Sequence, residues 1–343
     1  MKKSAKIAIV YFLIHFLVEI VSFATVFNRY SAGVAALVAL LFDGLAFVPQ
    51  GIIGDFMNKH RKFDMGTVGV FLMLFSLVFY NTQNDALFIL EVFLVAIGNA
   101  CLHECGAVAT VTVSEGKLFP TALFVGGGSF GVITGQILGK NHVSAIWLIA
   151  CVVVIELLVL FSNKRWLSGE YEYPTFNIVD KEKSLVFIMI IALLVTTVRS
   201  FIGYVIPISW NKQTWQAVLL FVMMGLGKAF GGLAADLWGA RKVGLISTVL
   251  AIPFLIFGNN YMVVSFIGVF MFSMTMSLTF GMLLSIIGDN PGVAFGITTV
   301  GLFLGIIPSF FIQKFSITVN IILVIVLSLL CFEGFRRTLS SKK

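Results

Sequence analysis

Charge is scarce in this chain. Charged residues fill 11% of its 343 positions and hydrophobic ones 59%, whereas a soluble domain carries about 25% charged residues. The shortage excludes a water-soluble globule. Such a chain belongs in lipid, where backbone polar groups must be satisfied inside helices or a closed barrel. Strict apolar–polar alternation, the mark of barrel strands, is missing too. The apolar runs are long and continuous, so the spans read as helices. Cysteine is sparse, and Cys101, Cys105, Cys151 and Cys331 all fall inside apolar runs. This excludes a disulfide framework in extracytoplasmic loops and leaves small, apolar free thiols. No phosphate-cradling Gly-x-x-x-x-Gly-Lys-Ser/Thr loop occurs, which excludes ATP coupling within the chain. No histidine pair beside a nucleophile or paired metal site supports a membrane-embedded hydrolase, so no enzyme is expected and no cofactor. The first apolar run lacks a small-residue cleavage site after a short core and reads as a retained span.

What is present is a set of twelve apolar runs: 6–27, 32–52, 66–81, 86–112, 118–139, 142–163, 184–209, 213–235, 243–258, 261–287, 292–313 and 316–334. The polar stretch between the sixth and seventh, which carries Pro174 and charges of both signs, reads as a linker. The expected organisation is a six-helix bundle over 1–163, a cytoplasmic linker over 164–183 and a second six-helix bundle over 184–343. Lys and Arg set the orientation. With both termini in the cytoplasm, 17 basic residues lie in inside segments and 4 outside, and the remaining 2, Arg199 and Lys228, fall within spans. The expected location is the cell membrane. The net charge of +7 then reflects topology, and nucleic acid is not an expected partner.

One loop signature occurs twice. Gly51-Ile-Ile-Gly-Asp55 is followed by Lys59, Arg61 and Lys62, and Gly232-Leu-Ala-Ala-Asp236 by Arg241 and Lys242. The two aspartates stand 181 positions apart, about half the chain. A membrane-edge loop repeated at half-length indicates doubling, and doubled membrane proteins are usually transporters.

Twelve spans in 6+6 halves, with these loops after spans two and eight, resemble the major facilitator superfamily. Three segments resemble its fosmidomycin-resistance branch of drug exporters: His15-Phe-Leu-Val-Glu19, Gly98-Asn-Ala-Cys-Leu-His103-Glu104, and Ser114-Glu-Gly116-Lys with the glycine-rich run from Phe124 to Gln136. Glu104 and Gln136 stand where that branch carries proline. The resemblance implies an all-α integral membrane protein, two pseudo-twofold-related six-helix bundles, alternating access, a small-molecule substrate, protons and a monomer. It also implies that spans two, five, eight and eleven form the contact between halves, and that the aspartate loops lock one conformation. On that reading Asp55 with Arg61, and Asp236 with Arg241, are a conformational latch, because such a carboxylate can accept from a helix N-terminus and pair with a cation. Gly127, Gly131 and Gly135 recur every four residues on span five, a spacing that lets helix backbones approach closely in lipid.

Charges inside the spans carry the functional expectation, since each costs about 2.5–3.5 kcal/mol at the bilayer centre and faces a partner or a cavity. Tyr11, His15, Glu19 and Ser22 share one helical stripe. Asp43 lies in span two, His103 and Glu104 in span four, Arg199 near Tyr204 in span seven, and Lys228 in span eight. Glu91 and Glu156 read as peripheral. Shifting Glu19 by 180 positions lands on Arg199, so the halves place an acid and a base at equivalent sites. The expectation is that Arg199 and Lys228 bind an anionic or zwitterionic substrate with Tyr11, His103, Glu104 and Tyr204, while Glu19, His15 and Asp43 handle the coupling proton. A static Glu19–Arg199 pair is the alternative for those two residues, and a plain interhelical hydrogen bond for His103. Within Cys101-Leu-His103-Glu-Cys105 the histidine points nearly opposite the two thiols, so no metal site is expected there. His15 and Glu19, at i and i+4, keep divalent-metal transport as a lesser alternative. Proton-coupled efflux is the leading expectation, with symport of an organic anion and a non-transporting sensor as the others.

Overall fold

A helix closes all its backbone hydrogen bonds within one segment, and in lipid that requirement overrides local propensity. The computed structural model describes residues 3–29, 35–163, 172–312 and 315–341. Its α-helices are α1 (Lys3–Asn28), α2 (Ala35–Phe47), α3 (Gln50–Lys59), α4 (Met65–Ser76), α5 (Asp85–Thr112), α6 (Phe119–Lys140), α7 (Ala145–Ser162), α8 (Leu185–Val205), α9 (Thr214–Trp238), α10 (Ala240–Phe257), α11 (Met262–Ser273), α12 (Met276–Leu284), α13 (Pro291–Phe311) and α14 (Ile317–Thr338). Eleven stretches are long and apolar enough to cross a membrane, and the shorter apolar helix Met65–Phe79 makes a twelfth span. Large apolar side chains lie bare on the outside, among them Ile52, Val78 and Phe257. A soluble protein does not expose so many together. This is a multi-pass membrane protein.

Short polar residues end the loops and start the helices. Asp64 accepts from the Thr67 amide, Asn84 from those of Ala86 and Leu87, and Ser316 from that of Val319. Each cap satisfies donors that a helix start would otherwise leave open. Two spans expected to be continuous are broken. Span two breaks at Pro49, which has no N–H and crowds the preceding turn, and the Gln50 side-chain amide donates to the Ala46 carbonyl at 2.7 Å. Span ten breaks between α11 and α12 at Met274 and Thr275, with neither proline nor glycine at the break.

Packing repeats between the halves. Helix α1 lies against α5, α6 and α7, as α8 lies against α12, α13 and α14; α4 packs on α5 as α10 packs on α11. Two six-span bundles result, related by a pseudo-twofold. They meet where α6 touches α9 and where α2 and α3 touch α13. The glycine stripe lets two helix backbones approach closely, as its spacing led us to expect, and it does so within one bundle. Gly127, Gly131 and Gly135 face the α1 backbone inside the first bundle, at Phe12, Phe16 and Glu19–Ile20 respectively. The close approaches between bundles are made by other pairs, Gly51 with Gly296, Gly54 with Gly292, and Gly126 with Gly225.

Part of the expected linker, Lys164–Tyr171, lies outside the described residues. The rest is no loose tether. Phe176 is buried, Val179 forms an antiparallel bridge with Leu339, and the Asp180 amide donates to the Thr338 carbonyl at 2.8 Å.

Candidate functional site

Span one supplies two polar side chains one turn apart, and α6 makes room for them. At Gly128 an added methyl would fall on the His15 ring, and at Gly131 it would stand 2.6 Å from the Glu19 Cβ. His15 Nδ1 lies 2.8 Å from the Phe124 carbonyl, so that nitrogen carries the hydrogen and Nε2 is left as an acceptor. His103 Nε2 approaches His15 Nε2 at 2.6 Å, with the rings edge to face. Glu19 Oε1 lies 3.1 Å from His103 Nε2 and 3.5 Å from His15 Nε2. All three residues are buried, and Glu19 Oε2 and His103 Nδ1 have no hydrogen-bond partner among the described residues. Three atoms, Glu19 Oε1 and the two Nε2 nitrogens, therefore converge within hydrogen-bonding reach of one another. They are also the set close enough to suggest a metal ion. Two nitrogens bonded to one ion at about 2.1 Å stand roughly 3.0–3.4 Å apart. The two nitrogens stand 2.6 Å apart, closer than that and at hydrogen-bonding distance.

The equivalent place in the second half is built on a permanent cation. Arg199 Nε donates to Thr275 Oγ1 at 2.8 Å, Nη1 approaches the Met276 sulfur at 2.9 Å, and the guanidinium lies 5.1 Å from the Phe272 ring centroid. The break in span ten puts Thr275 and Met276 there. Among the described residues Arg199 has no acidic partner, and Glu19 and Arg199 form no direct ion pair. A guanidinium carries five N–H donors, so most remain available. Lys228, half-buried on α9, forms no ion pair or hydrogen bond among the described residues, yet lies within electrostatic range of both Arg199 and Glu19. Half-buried Asp43 is likewise within range of Glu19. Acids and cations thus face one another across the boundary between halves, joined by field and not by contact.

Three expected contributors, Tyr11, Tyr204 and Glu104, sit elsewhere, and one residue expected at the periphery is buried. Tyr11 meets α7, its hydroxyl accepting from Ser162 Oγ at 3.2 Å. Tyr204 donates to the Ile312 carbonyl at 2.8 Å, tying α8 to the far end of α13. Glu104, next to His103, is turned away by the roughly 100° step of a helix and lies against Gly54 and Gly292. Glu91, expected near the surface, is 1% exposed. Side-chain direction around the helix separates Glu104 from the site, and for Tyr11 distance along the helix does so as well. The contributors that the sequence did not single out are Thr275, Met276 and the Phe124 carbonyl. The run Ser273, Thr275, Ser277, Thr279 in span ten was the visible signal.

The repeated motif's aspartates lie within helices, Asp55 in α3 and Asp236 in α9, and not in the loops expected after spans two and eight; both reach across the boundary. Asp236 of the second half accepts from the Leu118 and Phe119 amides at the start of α6, at 2.8 and 2.9 Å. Asp55 of the first half accepts from the side chain of Asn290, the cap of α13, at 3.1 Å and holds Lys59 at 2.5 Å. Helix starts favour negative charge. The arginines take other partners. Arg61 donates to Asn58 at 3.3 Å and lies over the Tyr173 ring of the linker, while Arg241 donates to the Leu339 carbonyl at 3.1 Å.

No family model and no curated protein matches the chain. Solved structures do. A major facilitator superfamily transporter, FucP, in the outward conformation is 14% identical, with a TM-score of 0.65 over 98% of this chain and 99% of that one. A variant of the E. coli fucose:proton symporter FucP is 13% identical, with a TM-score of 0.67 over the same shares. The chain has the fold of major facilitator superfamily transporters. These neighbours are transporters and not enzymes.

Proposed function

We propose that this protein is a proton-coupled secondary transporter of small zwitterionic compounds, working by alternating access. The observation that carries the reading is the separation of charge across the boundary. Cations with no acidic partner among the described residues, Arg199 and Lys228, stand on the second half, and a buried carboxylate network, Glu19 with His15 and His103, stands on the first. Charges placed inside a membrane protein normally mark a substrate or proton path. A zwitterion fits both sides, its anionic end on Arg199 and Lys228 and its ammonium toward Glu19 and Asp43. A proton on Glu19 and the ammonium then compete for one carboxylate, which yields antiport, and hence efflux of a small polar compound or drug with the protein oriented termini-inward in the cell membrane. The monomer and the boundaries 1–163 and 184–343 for the two moving units belong to the same proposal.

A second reading has an observation behind it. A simple organic anion would occupy only the cations, and protonating Glu19 would strengthen its binding. That sign of coupling is symport, the mode of the fucose:proton symporter whose fold this chain shares.

The test is flux in proteoliposomes under an imposed pH gradient, after a thermal-shift screen of zwitterions and organic anions. Antiport predicts that an inward-acid gradient drives substrate out, and symport that it drives accumulation. Binding without flux in either direction would leave a sensor and end the transporter reading.

A further inference from the structure

The chain has four histidines, and two of them meet one carboxylate inside the first half. Glu19 Oε1, His15 Nε2 and His103 Nε2 form a triangle with sides of 2.6, 3.1 and 3.5 Å. Just outside its plane lies a point roughly 2.1 Å from all three corners, the bond length of zinc to an imidazole nitrogen or a carboxylate oxygen. The fit fails in one angle only. Because the nitrogens stand 2.6 Å apart, they subtend less than a tetrahedral angle at that point. The rings must part by roughly 0.4–0.8 Å to seat an ion. His103 can make that shift without breaking another bond, since its Nδ1 has no hydrogen-bond partner among the described residues. Helix α6 leaves the room: a methyl added at Gly128 would fall against His15 Nε2.

The surroundings suit an ion as well. His15 Nδ1 lies 2.8 Å from the Phe124 carbonyl. A metal-bound imidazole characteristically donates its other N–H in this way, which fixes the tautomer and aims the lone pair of Nε2 inward. Glu19 Oε2 has no partner among the described residues, so the carboxylate can offer one oxygen or both. The three residues are 7%, 6% and 4% exposed, and the Phe124 ring walls the site, 4.7 Å from the His15 ring. Asp43 lies within electrostatic range of Glu19 and favours a cation, while Lys228, also within range, opposes it. Two imidazoles and one carboxylate are borderline ligands. They suit Zn²⁺, Co²⁺ and Ni²⁺, and they do not suit Mg²⁺ or Ca²⁺, which take oxygen. We propose that His15, Glu19 and His103 form a binding site for one divalent transition-metal ion, zinc foremost, with its fourth position left to water. The ion replaces the hydrogen bond between the rings. The site needs neither a substrate nor movement of the halves, so it stands apart from the transport reading.

Isothermal titration of the untagged, chelator-stripped full chain in detergent tests it, with Zn²⁺ alone as the probe. The wild type is expected to bind one Zn²⁺ per chain and no Mg²⁺. His15→Ala and the more conservative His103→Gln, each first shown monodisperse, are expected to weaken zinc binding at least about 100-fold, more than loss of an outer partner of a ligand costs. The double variant His60→Gln/His142→Gln removes the other two histidines and is expected to keep the wild-type affinity, as is Cys101→Ser/Cys105→Ser. X-ray absorption at the zinc edge of the loaded wild type is expected to show two imidazoles and no sulfur, which keeps the test decisive if the histidine variants fail to fold. A wild type that binds no zinc overturns the proposal. So do wild-type affinity in both His15→Ala and His103→Gln, sulfur bound to the zinc, equal binding of Mg²⁺, or loss of zinc in the His60/His142 double variant.

Discussion

The two halves use the same pair of helices for opposite purposes. In the first, span one meets span four, and Glu19 is held by His15 and His103 in a buried carboxylate–imidazole network. In the second, span seven meets span ten, and Arg199 is held by Thr275 and Met276, neither of which can neutralise it. The same scaffold, present twice, carries a carboxylate with two imidazoles in one copy and a guanidinium in the other. A guanidinium stays charged at any physiological pH.

The sharpest way to break this comparison is Arg199→Ala. If the second half binds the anionic end, affinity should fall at least 100-fold by isothermal titration, with Arg199→Lys recovering part of it and losing the forked geometry. Unchanged affinity in the alanine variant would remove the second half from binding. Next comes Glu19→Gln. Substrate exchange without a gradient should persist within about three-fold, and pH-driven transport should drop by ten-fold or more. A gradient response equal to wild type would show that the first half does not carry the proton.

The two aspartates that cross the boundary give a graded comparison. Asp236 takes two backbone amides at a helix start, and Asp55 one side-chain amide. Charge-assisted bonds are stronger than neutral ones, though solvent exposure at this face weakens both. Asp236→Asn should slow transport roughly ten-fold and Asp55→Asn about three-fold, read as initial rates. The reverse order would mean that the α3–α13 corner is the firmer one.

The smallest effect concerns glycine. Gly128→Ala puts a methyl onto His15 and should cost about 1–3 kcal/mol as overpacking, seen as a lower Tm. Gly203→Ala, with nothing within 4 Å, should be neutral or stabilising by about 0.5–1 kcal/mol, because alanine is the better helix former. Equal melting temperatures for both would show that the α6 glycines do not set the clearance for the proton network.

Much of this arrangement was legible beforehand, for identifiable reasons. Glu19 and His15 are one turn apart, so their meeting needed no knowledge of neighbours. The paired aspartates stood out because the loop occurs twice. Glu104 and Tyr204 were misplaced because hydropathy gives depth along a span and not direction around it. Tyr11 failed for distance as well: eight residues from Glu19 is about 12 Å along the helix axis. The bend of span two was marked by Pro49, but that of span ten has no such residue, and with it Thr275 and Met276 stayed hidden as partners of Arg199.

By itself the sequence determined the solvent, the number of spans, the doubling and the sign of charge each half contributes, because all of these follow from composition and from local spacing along one chain. Only the tertiary structure decided that His103 and not Glu104 completes the carboxylate network, that the glycine stripe of α6 serves α1 and not the other half, and that the Glu104 carboxyl lies under the contact between halves. Each of those depends on which neighbouring helix a given face meets, a fact set by packing across hundreds of residues and written in no single segment.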